Sequence, residues 1–165
     1  MSLVVLSACT KQASTQVSFD KYQMTRFLAD KIYHQTPIEN SWENITIYQS
    51  QQDSTGVSNS LVINKVPLLT GVSLTQVVDL NMQQIKETLQ QYKSLATRSQ
   101  NVTCAGKSLS GYYVSFEYAL GEKQNFYVGQ YFFVADDMLF LVSFHSKDES
   151  DLKSFAQSTK TITCN

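Results

Sequence analysis

The stretch of sequence that decides the fold is YYVSFEYALGEKQNFYVGQYFFVADDMLFLVSFH, residues 112–145. Apolar and polar side chains alternate in its first part, which is typical of strands with one buried face. The segments 121–123 and Asp136-Asp137 are polar interruptions that favour tight turns. The final run, 138–145, is almost continuously apolar, which predicts a central strand buried on both faces. We therefore expect an antiparallel meander with short hairpin links.

Two helices are predicted outside this meander. Ser73 and Gln76 form a capping box, and apolar residues at helical spacing follow as far as Tyr92, which predicts a long amphipathic helix. A second capping box, Ser146 with Glu149, predicts a C-terminal helix. Strands and helices that follow one another in this order indicate an α+β fold in which both helices pack on an antiparallel sheet.

The N-terminal run Leu6-Ser7-Ala8-Cys9 resembles a bacterial lipobox, in which the cysteine is diacylated and becomes the first mature residue. The apolar run is short and no basic residue precedes Cys9, so 1–9 is predicted to be a truncated lipoprotein signal remnant. A short apolar strand with a buried cysteine is the alternative. The polar stretch 10–16 predicts a tether, and 17–165 is predicted to form a single α+β domain.

A lipid on Cys9 would anchor the protein in the bacterial cell envelope, facing the periplasm. Thr10 follows the cysteine where an aspartate would retain a lipoprotein at the inner membrane, so the sorting rule of enterobacteria favours the outer membrane. Cys104 and Cys164 then remain as an even pair, which predicts a disulfide in an oxidising compartment. Two buried free thiols are the alternative.

Composition and spacing exclude several classes of function. The net charge is −1 and the sequence pI about 6.1, so nothing predicts nucleic-acid binding. His34 and His145 show no metal-ligand spacing with the cysteines, and no cofactor motif occurs, so we expect no metal and no cofactor. No nucleophile motif is found either. The sequence therefore predicts a protein that is not an enzyme.

The meander is richer in aromatic residues than one core face requires. Tyr113, Tyr127 and Tyr131 fall on the face opposite the predicted helix-packed core. One interpretation is an exposed aromatic face that binds an unknown envelope protein or an apolar ligand. The alternative is that the N-terminal segment or the C-terminal helix covers these three side chains.

Four stretches resemble the DcrB-like proteins, a family of bacterial envelope lipoproteins with the PsbP-like fold. They are a strand at 42–47 (WENITI), a strand at 60–67 (SLVINKVP), the helix start at 71–74 (GVSL) and the glycine turn at 104–107 (CAGK). Asn44 stands where the family usually has aspartate. The resemblance covers roughly residues 33–163.

The resemblance implies a twisted antiparallel β-sheet with helices packed on its faces, and it supplies no catalytic residues. Its members include envelope lipoproteins, chaperones for secretion-system effectors and the PsbP subunit of photosystem II. We therefore expect a lipid-anchored envelope protein with a non-catalytic binding or assembly role. An enzyme with an unrecognised site near His145 is the alternative, and a chaperone for secretion-system effectors is the weaker one.

Overall fold

The chain forms an α+β domain of antiparallel sheets and two α-helices, seen in a computed structural model. The structure describes residues 15–27, 33–36, 44–104, 106–121 and 124–164. Its strands are β1 Thr15–Phe19, β2 Tyr22–Phe27, β3 Tyr33–Thr36, β4 Ile45–Ser50, β5 Ser60–Pro67, β6 Lys93–Ser99, β7 Val102–Cys104, β8 Lys107–Leu109, β9 Gly111–Leu120, β10 Gln124–Ala135, β11 Met138–Ser146 and β12 Ile162–Cys164. The helices are α1, Leu74–Thr88, and α2, Glu149–Ser158.

The N-terminal predictions lie largely outside the described residues. Cys9, the signal remnant 1–9 and residues 10–14 of the tether all belong to this part of the chain. β1 begins at Thr15, so the last two residues of the predicted tether are in a strand. None of the described helices is long and apolar enough to cross a membrane.

A seven-stranded antiparallel sheet organises the domain, in the order β3-β4-β5-β11-β10-β9-β6. The predicted meander is confirmed, because β9 pairs with β10 and β10 with β11. The apolar run 138–145 lies in β11, which is the middle strand, as predicted. Asp136 and Asp137 make the tight turn before it, with φ of 49° and 59°. Aspartate tolerates this left-handed region better than most residues because its side chain can hydrogen-bond locally.

One face of the large sheet is covered by α2 and by a three-stranded sheet of β1, β2 and β12. Phe133 and Phe140 stack here with ring centroids 4.8 Å apart. Tyr22 of β2 contacts both rings edge-on, at 5.3 and 5.0 Å. Phe155 of α2 stacks on the ring of Phe144 at 5.4 Å. The aromatic side chains of the meander therefore form the main core.

The other face carries α1. The predicted capping box is present, because Gln76 N–H donates to Ser73 Oγ and Ser73 N–H donates to Gln76 Oε1. The first half of the helix packs on a smaller apolar cluster. Its buried members are Val78, Val114, Phe132 and Leu139.

Two helix predictions need correction. The first helix is not long: it has 15 residues and ends at Thr88, because the chain turns at Gln91, where φ is 51°, and enters β6. The second helix does not start with a capping box at Ser146, which is the last residue of β11. Its N-cap is Asp148, whose side chain accepts from Ser150 N–H.

The predicted disulfide is confirmed. Cys104 and Cys164 are bonded, with Cα atoms 5.2 Å apart. The bond joins β7 to β12, and β12 in turn pairs with β2. It therefore attaches the C-terminal end of the described chain to both the small hairpin and the three-stranded sheet.

Candidate binding cleft

The tyrosines predicted as an exposed partner-binding face do not form one. Tyr131 is 0% and Tyr113 is 3% exposed, and half-buried Tyr127 packs against the same core. The Tyr131 hydroxyl donates to the carbonyl of Gln100 at 2.8 Å. The expectation of an exposed face is therefore corrected for Tyr113 and Tyr131. The N-terminal strands and α2 cover this side of the sheet, which is the alternative that the sequence left open.

A cleft of about 290 Å³ lies on the opposite face, beneath the C-terminal half of α1. The helix contributes Asn81, Gln84, Ile85, Thr88 and Leu89 to its lining. The sheet contributes Phe116, Tyr118, Val128, Gln130 and His145. The apolar cluster under α1 reaches only to Met82, so the second half of the helix stands over a space instead of a packed layer.

Strand register explains why these sheet residues converge. Val128 pairs with Phe116 of β9 on one side and with His145 of β11 on the other. Directly paired residues of antiparallel strands project to the same face. Phe116 is 2% and Val128 0% exposed, so the floor is an apolar surface that the rest of the fold holds rigidly.

A chain of hydrogen bonds forms one wall of the cleft. Asn81 Nδ2 donates to Gln130 Oε1 at 2.9 Å, which links α1 to the sheet. Gln130 Nε2 donates to Ser143 Oγ at 3.3 Å, and Ser143 Oγ lies 3.3 Å from His145 Nε2. Gln130 and Ser143 are each 7% exposed. A buried amide needs such partners. These hydrogen bonds therefore satisfy the oxygen and the nitrogen of the Gln130 amide and fix its orientation.

Among the described residues, the lining of the cleft is polar in places but carries no formal charge. Burial lowers the pKa of His145, because a low-dielectric surrounding disfavours the imidazolium. The ring is therefore neutral near pH 7 and offers one donor and one acceptor nitrogen. The other nine lining residues are apolar, aromatic, hydroxyl or amide side chains. The cleft can thus hydrogen-bond a ligand but cannot neutralise a charge on it.

Ser143 and His145 are the pair in the cleft that most resembles a catalytic nucleophile and its base. An activated serine needs a base that a third group orients. Among the residues that the structure describes, Ser143 is the only hydrogen-bond partner found for the His145 ring. The described residues also contain no group of three His, Cys, Asp or Glu side chains that could hold a metal ion.

The sequence analysis missed Gln130, Ser143 and Asn81. The signal was present in β10. On the face of this strand toward α1, the residues are Phe126, Val128, Gln130, Phe132 and Val134. One amide interrupts an otherwise apolar series at the centre of the sheet. A polar residue at such a position must find a buried partner, and this requirement marks the strand face that contains the cleft.

Comparisons with known proteins show the fold. No family model matches the chain, and no curated protein matches it. Among solved structures, Synechocystis CyanoP, a cyanobacterial PsbP, is 9% identical with a TM-score of 0.60, covering 99% of each chain. The Ran-binding protein Mog1p of Saccharomyces cerevisiae is 7% identical with a TM-score of 0.61, covering 91% of this chain and 92% of its own.

A third similar structure is PA94, a Pseudomonas aeruginosa protein of unknown function. It is 12% identical with a TM-score of 0.56, covering 89% of this chain and 94% of its own. At such low identity these likenesses establish a PsbP-like fold and nothing about activity or partners.

Proposed function

We propose that this chain belongs to a lipid-anchored protein of the bacterial envelope that binds a partner or apolar ligand and catalyses no reaction. The observation that carries the binding role is the cleft under α1, with its rigid apolar floor and its wall of neutral hydrogen-bonding groups. Apolar concavities with a few convergent polar groups are the usual form of ligand sites.

The DcrB-like family is our proposal for the relatives of this chain. The PsbP-like fold supports it, together with the strand motifs at 42–47 and 60–67, the second of which forms β5. The family's envelope lipoproteins are the members that this chain resembles in its N-terminal run. An envelope role is further supported by the disulfide between Cys104 and Cys164, since such bonds persist in oxidising compartments.

The anchor is tested in cells that express the full-length gene product. Native protein should fractionate with membranes, mainly the outer membrane, and Cys9→Ala should release it. Thr10→Ser, beside the same cysteine, serves as the control, and it should leave the membrane fraction unchanged. Recovery of the native protein as a soluble species with an intact Cys9 thiol would contradict the anchor and favour the effector-chaperone alternative.

The cleft is tested by site-specific photocrosslinking in intact cells. Gln84 lines the cleft, whereas its neighbour Gln83 is exposed and projects from the other side of α1. A photo-crosslinking amino acid at position 84 should form a defined adduct that is absent at position 83. Equal adducts at both positions, or adducts only at exposed Gln157 on α2, would contradict the cleft as the binding site.

The enzyme alternative has one observation in its favour, the contact between Ser143 and His145. Chromogenic esters of short acyl chains would reveal a serine hydrolase, and we expect no turnover above the rate in buffer. Turnover that disappears in both Ser143→Ala and His145→Asn would contradict the non-catalytic proposal.

A further inference from the structure

We infer that the cleft under α1 selects an uncharged, compact apolar ligand that carries a single hydrogen-bonding group. This inference deepens the proposed function and rests on the cleft being the binding site. It follows from the size of the cleft, the chemistry of its floor, the absence of charge in its lining and the position of its polar wall.

The size of the cleft sets the scale of the ligand. Its volume of about 290 Å³ lies at the lower end of the range for small-molecule sites, roughly 300–1,000 Å³. The side chains at its floor, Phe116 and Val128, are buried and belong to central strands. A compact molecule therefore fits the cleft without displacing them.

The chemistry of the lining sets the polarity of the ligand. Ile85 and Leu89 above and Phe116 and Val128 below present apolar surface to the space between helix and sheet. Removing an apolar ligand from water onto such surface is favourable.

Ions are not expected as preferred ligands, because the described lining of the cleft carries no formal charge. An anion or cation would lose its hydration in the cleft, and none of the lining residues that the structure describes carries the opposite formal charge to compensate. A second pocket, on the other face of the sheet, does carry charge. Arg98, Glu149 and Lys153 all line it. The difference between these two pockets points to selection for neutral ligands under α1.

The polar wall sets the number of hydrogen-bonding groups. Gln130 is already engaged on both atoms of its amide, by Asn81 and Ser143. His145 is neutral and uses its Nε2 toward Ser143, so its Nδ1 is the ring atom left for a ligand among the contacts of the described residues. One hydrogen-bonding group on the ligand is therefore enough to pair with this wall.

Two fluorescent probes test this selection, because they differ by one sulfonate. N-phenyl-1-naphthylamine is neutral and apolar with a single N–H, and 8-anilino-1-naphthalenesulfonate adds a negative charge to the same skeleton. Titrated into the full chain, the neutral probe should bind at least about tenfold more tightly than the sulfonate.

Matched variants locate the binding. Gln84→Trp places a bulky ring at the mouth of the cleft and should weaken binding of the neutral probe by about tenfold or more. Gln83→Trp, the same change on the opposite side of α1, should leave binding within about twofold. Both positions are exposed, so both variants should keep the wild-type circular dichroism spectrum.

Each outcome decides a separate point. If both probes bind equally and both are lost in Gln84→Trp, the cleft binds ligands but the inferred selectivity for neutral molecules is wrong. If the neutral probe does not bind, or binds equally well to Gln84→Trp, the inference is overturned altogether. The crosslinking experiment decides the proposed function independently, since it requires no assumption about ligand charge.

Discussion

The two faces of the seven-stranded sheet use the same strands for different purposes. On the face toward α2, Tyr131 and Phe133 are 0% exposed and lie within stacked aromatic side chains. On the face toward α1, the neighbouring residue Gln130 joins a hydrogen-bonded wall and Val128 floors a cleft. The comparison shows that the abundant aromatic residues of the meander belong to the core. The candidate site is indicated instead by Gln130, one amide in an otherwise apolar series.

The largest expected effect concerns the aromatic face. Phe133→Ala should lower the free energy of unfolding by about 3–5 kcal/mol, because it removes a fully buried ring and leaves a cavity. Val128→Ala should cost less, because it removes two methyl groups of a buried side chain instead of a whole ring. Urea unfolding measures both values. Equal losses would contradict the larger contribution that is assigned to the aromatic face.

The disulfide, on the same side of the molecule, should stabilise the fold by nearly as much as the Phe133 ring does. Cys104 and Cys164 are separated by 60 residues, so reduction should lower the free energy of unfolding by roughly 4 kcal/mol in the chain-entropy model. Unfolding with and without reductant measures the effect. The double variant Cys104→Ala, Cys164→Ala is the control, and any further destabilisation of it by reductant would contradict the assignment.

A smaller effect tests how tightly α2 is packed. A Cβ atom on Gly129 would lie 2.5 Å from Cδ1 of Phe155. Gly129→Ala should therefore cost about 1–3 kcal/mol through overpacking. Phe155→Leu should recover part of that loss when both changes are combined, which a double-mutant cycle measures. Strict additivity of the two changes would show that the ring is not the obstacle.

The smallest effect belongs to the cleft and depends on pH. Burial holds the pKa of His145 below its ordinary value of 6.5, so below pH 6.5 the unfolded chain binds this proton more readily than the folded one. The contribution of the neutral ring to stability is therefore present above pH 6.5 and lost as the pH falls toward the folded pKa.

The decline should be visible as a melting temperature that falls as the pH is lowered below about 6.5. His145→Asn should remove the part of the decline that is due to this ring. Asp20 and Asp53 also have lowered pKa values, first through hydrogen bonds from Lys65 and from Thr55 respectively. Their contribution is lost below the ordinary carboxyl range, outside the window of the histidine.

The fold could be predicted from local sequence where chemistry acts over a few residues. Alternation in 112–145 predicted the meander, and Ser73 with Gln76 predicted the start of α1. Neither signal predicts where a helix must stop to let the next strand pair. The end of α1 depends on β6 reaching the edge of β9, which is a tertiary requirement.

The candidate site was harder to predict because it depends on which element covers each sheet face. Tyr113 and Tyr131 were placed on the correct face, but the sequence could not show that α2 and the N-terminal strands cover them. His145 was singled out as a possible site, and only the register of β10 and β11 brings it beside Val128 and Ser143. The cleft itself arises because the packed cluster under α1 stops at Met82.

The central claim is that the α1 face, and not the aromatic face, holds the binding site. The most direct test is a titration of the isotopically labelled full chain with N-phenyl-1-naphthylamine, followed through backbone amide resonances. The account predicts that the largest shifts occur at Ile85, Leu89 and Val128, with little change at Tyr113 or Phe155. Shifts centred on Tyr113 and Phe155, with the amides of the cleft unmoved, would contradict it.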